Sequence, residues 1–458
     1  MVFSIIQKSQ LEGAQRLDAE YYQPEYLKLE SNLGKNNLSL KFFSDILEKE
    51  NSLTGGATPL GADYPSSGVR FLRVQNIMQG FLDFDDVVFI SQQTNDNQLK
   101  RSQLVDSDVL LTITGVSYGK SAVYKKSCGP CNINQHSVRM RFIEKILPEY
   151  VATFLNSKYG RFQSDRKITG DTRPALAYEE IKNYLIPIFD IEQQKNIQKI
   201  YTKANNLLDE SENIYKNALD IFLSETNVNW FSENKIYYSV VNLFEVQTVN
   251  RFDAEYFNSP CNKILTQIIK GKTAKLGDLA DMTKGVEPGA DAYQDEGKLF
   301  IRVSSISKDG IIDKDQKYLS DDLYNEYKKD YQPQVGDVLL TKDASIGVAC
   351  VVRESVEGIV AGGVLRLKLK EKMNPEYLAL VLNSIVGQMQ AKRDAGGSII
   401  AHWKPEQIKN LVVPILPAAT QEKIAGLIVK SHEARKKAKR LLEEAKLKVE
   451  EMIEKGGR

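Results

Sequence analysis

The chain has 458 residues, 42% of them hydrophobic, and 61 Lys and Arg stand against 60 Asp and Glu for a net charge of +1. That size suits two or three globular domains; no run of roughly 18 apolar residues reaches membrane-span length, and the start lacks the basic-then-apolar pattern of a secretory leader, so a cytoplasmic protein is expected. The near-neutral charge argues mildly against nucleic acid, and four cysteines, Cys128, Cys131, Cys261 and Cys350, make no disulfide framework in so long a chain.

The opening segment, Phe3-Ser4-Ile5-Ile6 followed by Arg16-Leu17-Asp18-Ala19-Glu20-Tyr21-Tyr22, returns as Tyr238-Ser239-Val240-Val241 followed by Arg251-Phe252-Asp253-Ala254-Glu255-Tyr256-Phe257, a shift of 251 − 16 = 235. Phe71-Leu72-Arg73-Val74 then matches Phe300-Ile301-Arg302-Val303, and Asp108 to Thr112 matches Asp337 to Thr341, at 337 − 108 = 229. Pro148-Glu149-Tyr150, Leu155-Asn156-Ser157 and Ile181-Lys182-Asn183 return at 408 − 181 = 227 as Pro375-Glu376-Tyr377, Leu382-Asn383-Ser384 and Ile408-Lys409-Asn410. A period this long is no solenoid unit; it reads as tandem duplication of a whole domain plus its connector. Two such halves about a pseudo-two-fold axis suit a ligand with two half-sites, as extended DNA has.

Within each half, Gly55 to Pro59, or Gly285 to Gly289, opens a loop before an apolar strand at Val69 to Val74, or Leu299 to Val303. The next strand, Asp108 to Thr114 or Asp337 to Thr341, ends in a small-residue loop and is followed by Ala122-Val123-Tyr124 or Val348 to Val352, a hairpin or strand pair. A helix is expected from Pro148 to about Tyr159, or Pro375 to about Gln390, with proline in the first turn. Each half is therefore α+β and closes on a second proline, Pro187 or Pro414.

From about Asp190 to Glu225, Ile197, Ile200, Ala204, Leu207, Ser211, Ile214, Ala218 and Ile221 keep a three-four alternation, a coiled-coil seam. A second such helix spans Ala419 to about Lys455, with Ile424, Ile428, Ser431, Ala438, Leu442, Ala445, Val449 and Met452 on its seam and a break at Arg435. Residues 188–226 carry 4 − 7 = −3 and residues 418–458 carry 11 − 7 = +4. The two helices are expected to pack as an antiparallel coiled coil, roughly 50 Å long at about 1.5 Å per residue; the alternative, each helix packed on its own domain, stays open. The expected domains are 1–187, a spacer helix 188–226, 227–414, and a second spacer helix 415–458.

The Arg-x-Asp-Ala-Glu-Tyr start of each half, the Gly-Gly-x-Thr-Pro loop at Gly55 to Pro59, the Phe-x-Arg-Val strand, Gly-Asp-Val-Leu-Leu-Thr at Gly336 to Thr341 and the helix start Gln421 to Ile424 resemble the DNA-specificity subunits of type I restriction-modification systems. The second half departs at Gly285 to Gly289, where Thr-Pro is missing, and Ser107 stands where the second half has Gly336. The resemblance implies two target-recognition domains that read the halves of a split, asymmetric sequence in double-stranded DNA. It also implies long helices that dock two methyltransferase subunits, motor-nuclease subunits joining for cleavage, and a non-catalytic adaptor without cofactor. A related type IIB-like specificity subunit and a duplicated protein scaffold without DNA are the alternatives.

Apparent catalytic motifs do not hold. Gly115 to Ser121 has three residues between its glycines where a phosphate loop needs four. Cys128-Gly129-Pro130-Cys131 lies between apparent strands rather than at the helix N-terminus that thiolate chemistry needs, and a zinc site there lacks two ligands unless His136 and a distant residue join. The histidines His136, His402 and His432 are scattered, and the Asp/Asn-Pro-Pro-Tyr/Phe element of an adenine methyltransferase is missing. Sequence is read by Arg, Lys, Asn, Gln and Ser side chains on loops. The candidates for DNA contact are a basic, Gly-containing loop with Arg161, Arg166, Lys167, Thr169 and Arg173, and its counterpart Lys392, Arg393, Ser398, His402 and Lys404. Arg73 and Asn76, Arg302 and Ser305, Tyr118 and Lys120, and Lys342 and Ser345 complete the set; no metal ligand is expected.

Overall fold

The computed structural model describes the chain apart from residues 1–2, 15, 36–37, 50–51, 62–63, 171–173, 230–239, 250, 258–260, 313–315, 371–372, 396–401 and 457–458. It divides into two compact units, one made of Met1–Asp209 with Arg435–Arg458, the other of Glu210–Ala434.

In the first unit the strands Leu53–Gly55, Ser137–Met140, Val109–Thr112 and Ser121–Val123 hydrogen-bond in that order, all antiparallel. A second sheet sets Val69–Leu72 between Val88–Ile90, antiparallel, and Cys131–Ile133, parallel, and Leu40–Phe42 pairs with Leu185–Pro187. The second unit repeats this plan. Ala280–Lys284, Val364–Leu369, Val338–Thr341 and Ala349–Val351 form the antiparallel sheet. Lys298–Ile301 lies between Lys317–Leu319 and the parallel Gly358–Val360, and Thr273–Lys275 pairs with Val412–Pro414. Only the second unit shows the added two-stranded pair Ile306–Ser307 and Gly310–Ile311 among the described residues.

The unbroken apolar run of the central strand follows from burial on both faces. Val109 and Leu111 point into a large core that holds Tyr150, Phe154 and Ile181, while Leu110 points into a smaller core with Leu72, Ala122 and Ile133. Val338, Leu340 and Leu339 divide in the same way.

The short motifs shared by the halves are the pins of this framework. Tyr150 donates from its hydroxyl to the Pro187 carbonyl at 2.6 Å and Tyr377 to that of Pro414 at 2.9 Å. The Asn156 amide brackets the backbone of Ser121, accepting from its N–H at 3.0 Å and donating to its carbonyl at 2.7 Å. Asn383 does the same to Ala349 at 2.9 and 2.7 Å.

The serine of Leu-Asn-Ser corrects the expected helix bounds. Pro148–Asn156 ends at Ser157, which is extended and caps a second helix, Lys158–Lys167; Pro375–Asn383 likewise ends at Ser384, which caps Ile385–Asp394. The second helix of each pair packs tightly on the first. A Cβ at Gly160 would lie 2.3 Å from the Phe154 carbonyl oxygen, and one at Gly387 2.2 Å from that of Leu382. Arg161, Arg166, Lys167, Lys392 and Arg393, expected in loops, therefore sit on helices.

The central helix runs Ile191–Glu225 and the C-terminal helix Ala418–Glu454. In the first unit residues 193–200 face 448–455 across a cavity of about 480 Å³, and Ala204 and Leu208 pack with Ala438. In the second unit Ala218 and Phe222 share a core with Ile424 and Ile428, and the buried hydroxyls of Ser211 and Ser431 meet at 2.9 Å. Rising numbers on one helix meet falling numbers on the other, an antiparallel coiled coil. Its buried line on the central helix is Ile197, Tyr201, Ala204, Leu208, Ser211, Ala218 and Phe222. Ile200, Leu207, Ile214 and Ile221, expected on the seam, are half-buried beside it, because this helix packs on its domain as well as on its partner and so needs a wider stripe.

Candidate nucleic-acid interface

In each unit the ends of the strands carry a ring of loops. In the first, the loop after Thr112 is tied down on three sides: Ile113 N–H donates to the His136 carbonyl at 2.9 Å, Gly115 N–H to that of Pro174 at 3.0 Å, and Thr114 bridges to Ala175. The Thr114 hydroxyl meets His136 Nδ1 at 2.6 Å, and the Thr58 hydroxyl donates to Gln135 Oε1. The Gly-Gly-x-Thr-Pro loop thus leans on the turn Gln135-His136. A Cβ at Gly56 would fall 2.1 Å from the Ile133 carbonyl oxygen, which is the reason for glycine there. Arg161 closes the far side, its guanidinium 4.4 Å from the Tyr118 ring centre and hydrogen-bonded to the Tyr118 carbonyl. Burial, then the neighbouring Asp165, pushes the Tyr118 hydroxyl up to about 12.

The second unit builds the same ring with other side chains. Lys342 N–H donates to the Gly363 carbonyl at 2.9 Å, Gly362 N–H to that of Val286 at 2.9 Å, and Asp343 bridges to His402. His402 Nδ1 lies 2.7 Å from Asp343 Oδ1, and Lys342 Nζ pairs with Asp343 Oδ2 at 2.5 Å. Burial tends to raise the Asp343 carboxyl, but hydrogen bonds from Lys342 and His402 hold it below the usual carboxylate range. The turn Gly362-Gly363 is bare: a Cβ at Gly362 would overlap the Glu287 carboxylate, and one at Gly363 would lie 3.4 Å from Asp343 Oδ2.

Tyr118 with Arg161, and Lys342 with His402, are brought together as described. Lys120 is half-buried, and Ser345, Lys392 and Lys404 are exposed. Thr169 is exposed and bridges to Ala175. Arg73 folds back onto the Asp86 carbonyl at 2.6 Å; Asn76 is buried and ties Arg73 N–H to the Asp83 carbonyl. Ser305 is buried at the corresponding turn, with Arg302 beside the Tyr293 ring. Lys167 donates to the carbonyls of Glu180 and Asn183. Arg173 and Ser398 lie outside the described residues.

Arg166 and Arg393 face the repeated N-terminal motif instead. Arg166 stacks 4.0 Å from the Tyr21 ring centre and Arg16 lies 5.0 Å from it, Arg16 being paired to Asp18 at 2.6 Å. Arg393 and Arg251 flank Tyr256 at 4.9 and 4.8 Å, with Arg251 paired to Asp253 at 2.6 Å. Asp18 and Asp253 are held below the usual range first by the hydrogen bond from that arginine.

Burial pushes the Cys128 thiol up and that of Cys131 to about 12, the opposite of an activated thiolate. Among the described residues no three of His, Cys, Asp and Glu are grouped to hold a metal ion, and no helix is long and apolar enough to cross a membrane.

Residues 269–443 match the type I restriction modification DNA specificity domain. That stretch covers part of the second half of the chain. The chain is 26% identical over 207 residues to the type I restriction enzyme EcoBI specificity subunit of Escherichia coli, an alignment covering 42% of this chain and 42% of that protein, so less than half of the relative's length is matched. Among solved structures, the S subunit of a type I restriction-modification system from M. genitalium aligns over 92% of this chain and 97% of its own, at 10% identity and a TM-score of 0.39. The HsdS subunit of Thermoanaerobacter tengcongensis aligns over 93% and 98%, at 14% identity and a TM-score of 0.30. Asp343, Glu287, Thr58 and Gln135, which reading the basic residues alone passed over, stand out once the two rings are superposed through their shared offsets.

Proposed function

We propose that this chain is the specificity subunit of a type I restriction-modification complex, reading a bipartite, asymmetric DNA target. Residues 1–187 read one half and residues 227–414 the other. The helices of 188–226 and 415–458 dock two methyltransferase subunits and fix the gap, and motor-nuclease subunits join for cleavage. The observation that carries this reading is the ring of loops built twice on one strand topology with different side chains, as two readers of two different half-sites require. Exposed Lys392 and Lys404, with Lys120 and Arg161, suit phosphate contact, which fixes register without reading sequence; Tyr118, Thr169, Ser345 and His402 stand nearer the loop tips. Buried Asn76 and Ser305 support these loops from behind, while buried Arg166 and half-buried Arg393 hold the repeated N-terminal motif.

Co-expression with the adjacent methyltransferase, followed by mapping of methylated adenines in host DNA, tests the proposal. A motif of two short defined halves with a fixed gap is expected. A continuous motif, or no methylation from a stable complex, overturns it. Exchanging residues 1–187 for another such domain is expected to change one half only.

A further inference from the structure

We infer that Asp343 sets the second half-site apart from the first by accepting a hydrogen bond from the exocyclic amino group of a base, cytosine N4 or adenine N6. This rests on the specificity-subunit reading and names the chemistry of one of its contacts.

Thr114 and Asp343 are equivalent, both two residues past the threonine that ends the central strand, at 343 − 114 = 229. They also meet equivalent neighbours: Thr114 bridges to Ala175 and Asp343 to His402, at 402 − 175 = 227. What differs is the chemistry presented. The Thr114 hydroxyl is both donor and acceptor and is engaged by His136 at 2.6 Å, so it imposes little choice on a base edge. The Asp343 carboxylate is ionised and accepts only.

Its orientation is fixed. Lys342 holds one oxygen at 2.5 Å and His402 the other at 2.7 Å, yet the side chain keeps 22% of its surface open. A carboxylate has about four acceptor positions, so two holders leave it able to take a further donor. The turn beside it is Gly362-Gly363, where a Cβ at Gly363 would lie 2.9 Å from Val303 Cγ2 and 3.4 Å from Asp343 Oδ2, so glycine lets the backbone come close without covering the carboxylate with a side chain of its own; the first unit has Gln135 and His136 in the same place. A carboxylate does not serve general affinity for a phosphate-lined ligand, and Lys342 offsets its repulsion. An acceptor placed there discriminates: it gains from an amino group in the major groove and repels guanine O6 or thymine O4.

The test uses the full chain co-expressed with its methyltransferase, mapping methylated sites for the wild type and Asp343→Asn. Asparagine keeps the shape and adds a donor. The gap, the first half and all but one position of the second half are expected to stay unchanged. At that position the preference for cytosine or adenine over guanine or thymine is expected to fall by roughly five- to a hundredfold, and the wild-type base there tells cytosine from adenine. A split motif identical in wild type and variant overturns the inference while leaving the specificity-subunit reading intact. A wild type without any split motif overturns that reading, and this inference with it. Should Asp343→Asn fail to yield an assembled complex, Thr114→Asp is the second variant: it is expected to alter one position of the first half alone, and an unaltered first half overturns the inference.

Discussion

The turns Gln135-His136 and Gly362-Gly363 occupy the same place in the two units, one dressed with polar side chains and the other stripped to backbone. The strands beneath them pair in the same order and sense, and the pins beneath those are the same residues: Tyr150 and Tyr377, Asn156 and Asn383, Gly160 and Gly387. The difference teaches where this fold stores its constraints. Turn tips contribute little to either core, so their chemistry varies at small cost, while buried residues that hold backbone to backbone admit few replacements.

That contrast can be broken at several depths. Gly160→Ala and Gly387→Ala each drive a methyl group into a backbone carbonyl 2.3 or 2.2 Å away; each is expected to cost about 3 kcal/mol, to be read by denaturant melting, and a neutral result in either unit would deny that the two helix pairs pack alike. Tyr150→Phe and Tyr377→Phe leave the buried carbonyls of Pro187 and Pro414 without their donors, an expected loss of about 1–3 kcal/mol apiece. Arg166→Ala and Arg393→Ala remove the stacked cation from Tyr21 and Tyr256, for about 1–2 kcal/mol, checked by faster amide exchange in residues 16–22 and 251–257.

Acid gives a matched pair of smaller effects. Asp18 and Asp253 are held below their ordinary value of 3.8, so the stabilisation they share with Arg16 and Arg251 is fully present above that value and lost as pH falls through the lower folded one. Protection of both motifs against amide exchange, taken relative to the intrinsic rate at each pH, should therefore fall together in that acidic window and stay constant from pH 5 to 7. Smallest is the effect expected at Cys131: with its thiol pushed up to about 12, it should resist alkylation at pH 8 while the protein is folded, and Cys131→Ala should shift DNA affinity by less than tenfold. Rapid labelling of the native protein would show a thiolate that this burial does not allow.

The duplication, the α+β halves, the recurrence of equivalent strands and the two long helices were legible because offset matches and heptad spacing survive in linear sequence. The break at Ser157 and Ser384 was not: Leu-Asn-Ser reads as ordinary helix until Asn156 is seen gripping a neighbouring strand. The seam was half legible. Ile197, Ala204, Ser211 and Ala218 lie on it, but Tyr201, Leu208 and Phe222 replace the expected neighbours, because one helix serves two packing partners and a two-in-seven pattern describes only one. The candidate interface was harder still. Charge points to Arg166 and Arg393, which turn inward to aromatic rings, whereas Asp343 and Glu287 carry the sign least expected beside a polyanion and emerge only when topology sets them against Thr114 and Thr58.

The first unit's core is closed by Ala445, Val449 and Ile453 against Ile197 and Tyr201, residues separated by the whole of the second unit. During synthesis at about 5–20 residues per second, the ribosome needs on the order of ten seconds or more to pass from Tyr201 to Ala445. Over that interval the apolar stripe of the central helix waits without its final cover. Folding of this chain is therefore not strictly vectorial: the domain made first is finished last, and its nascent surface is the place where chaperones would be drawn.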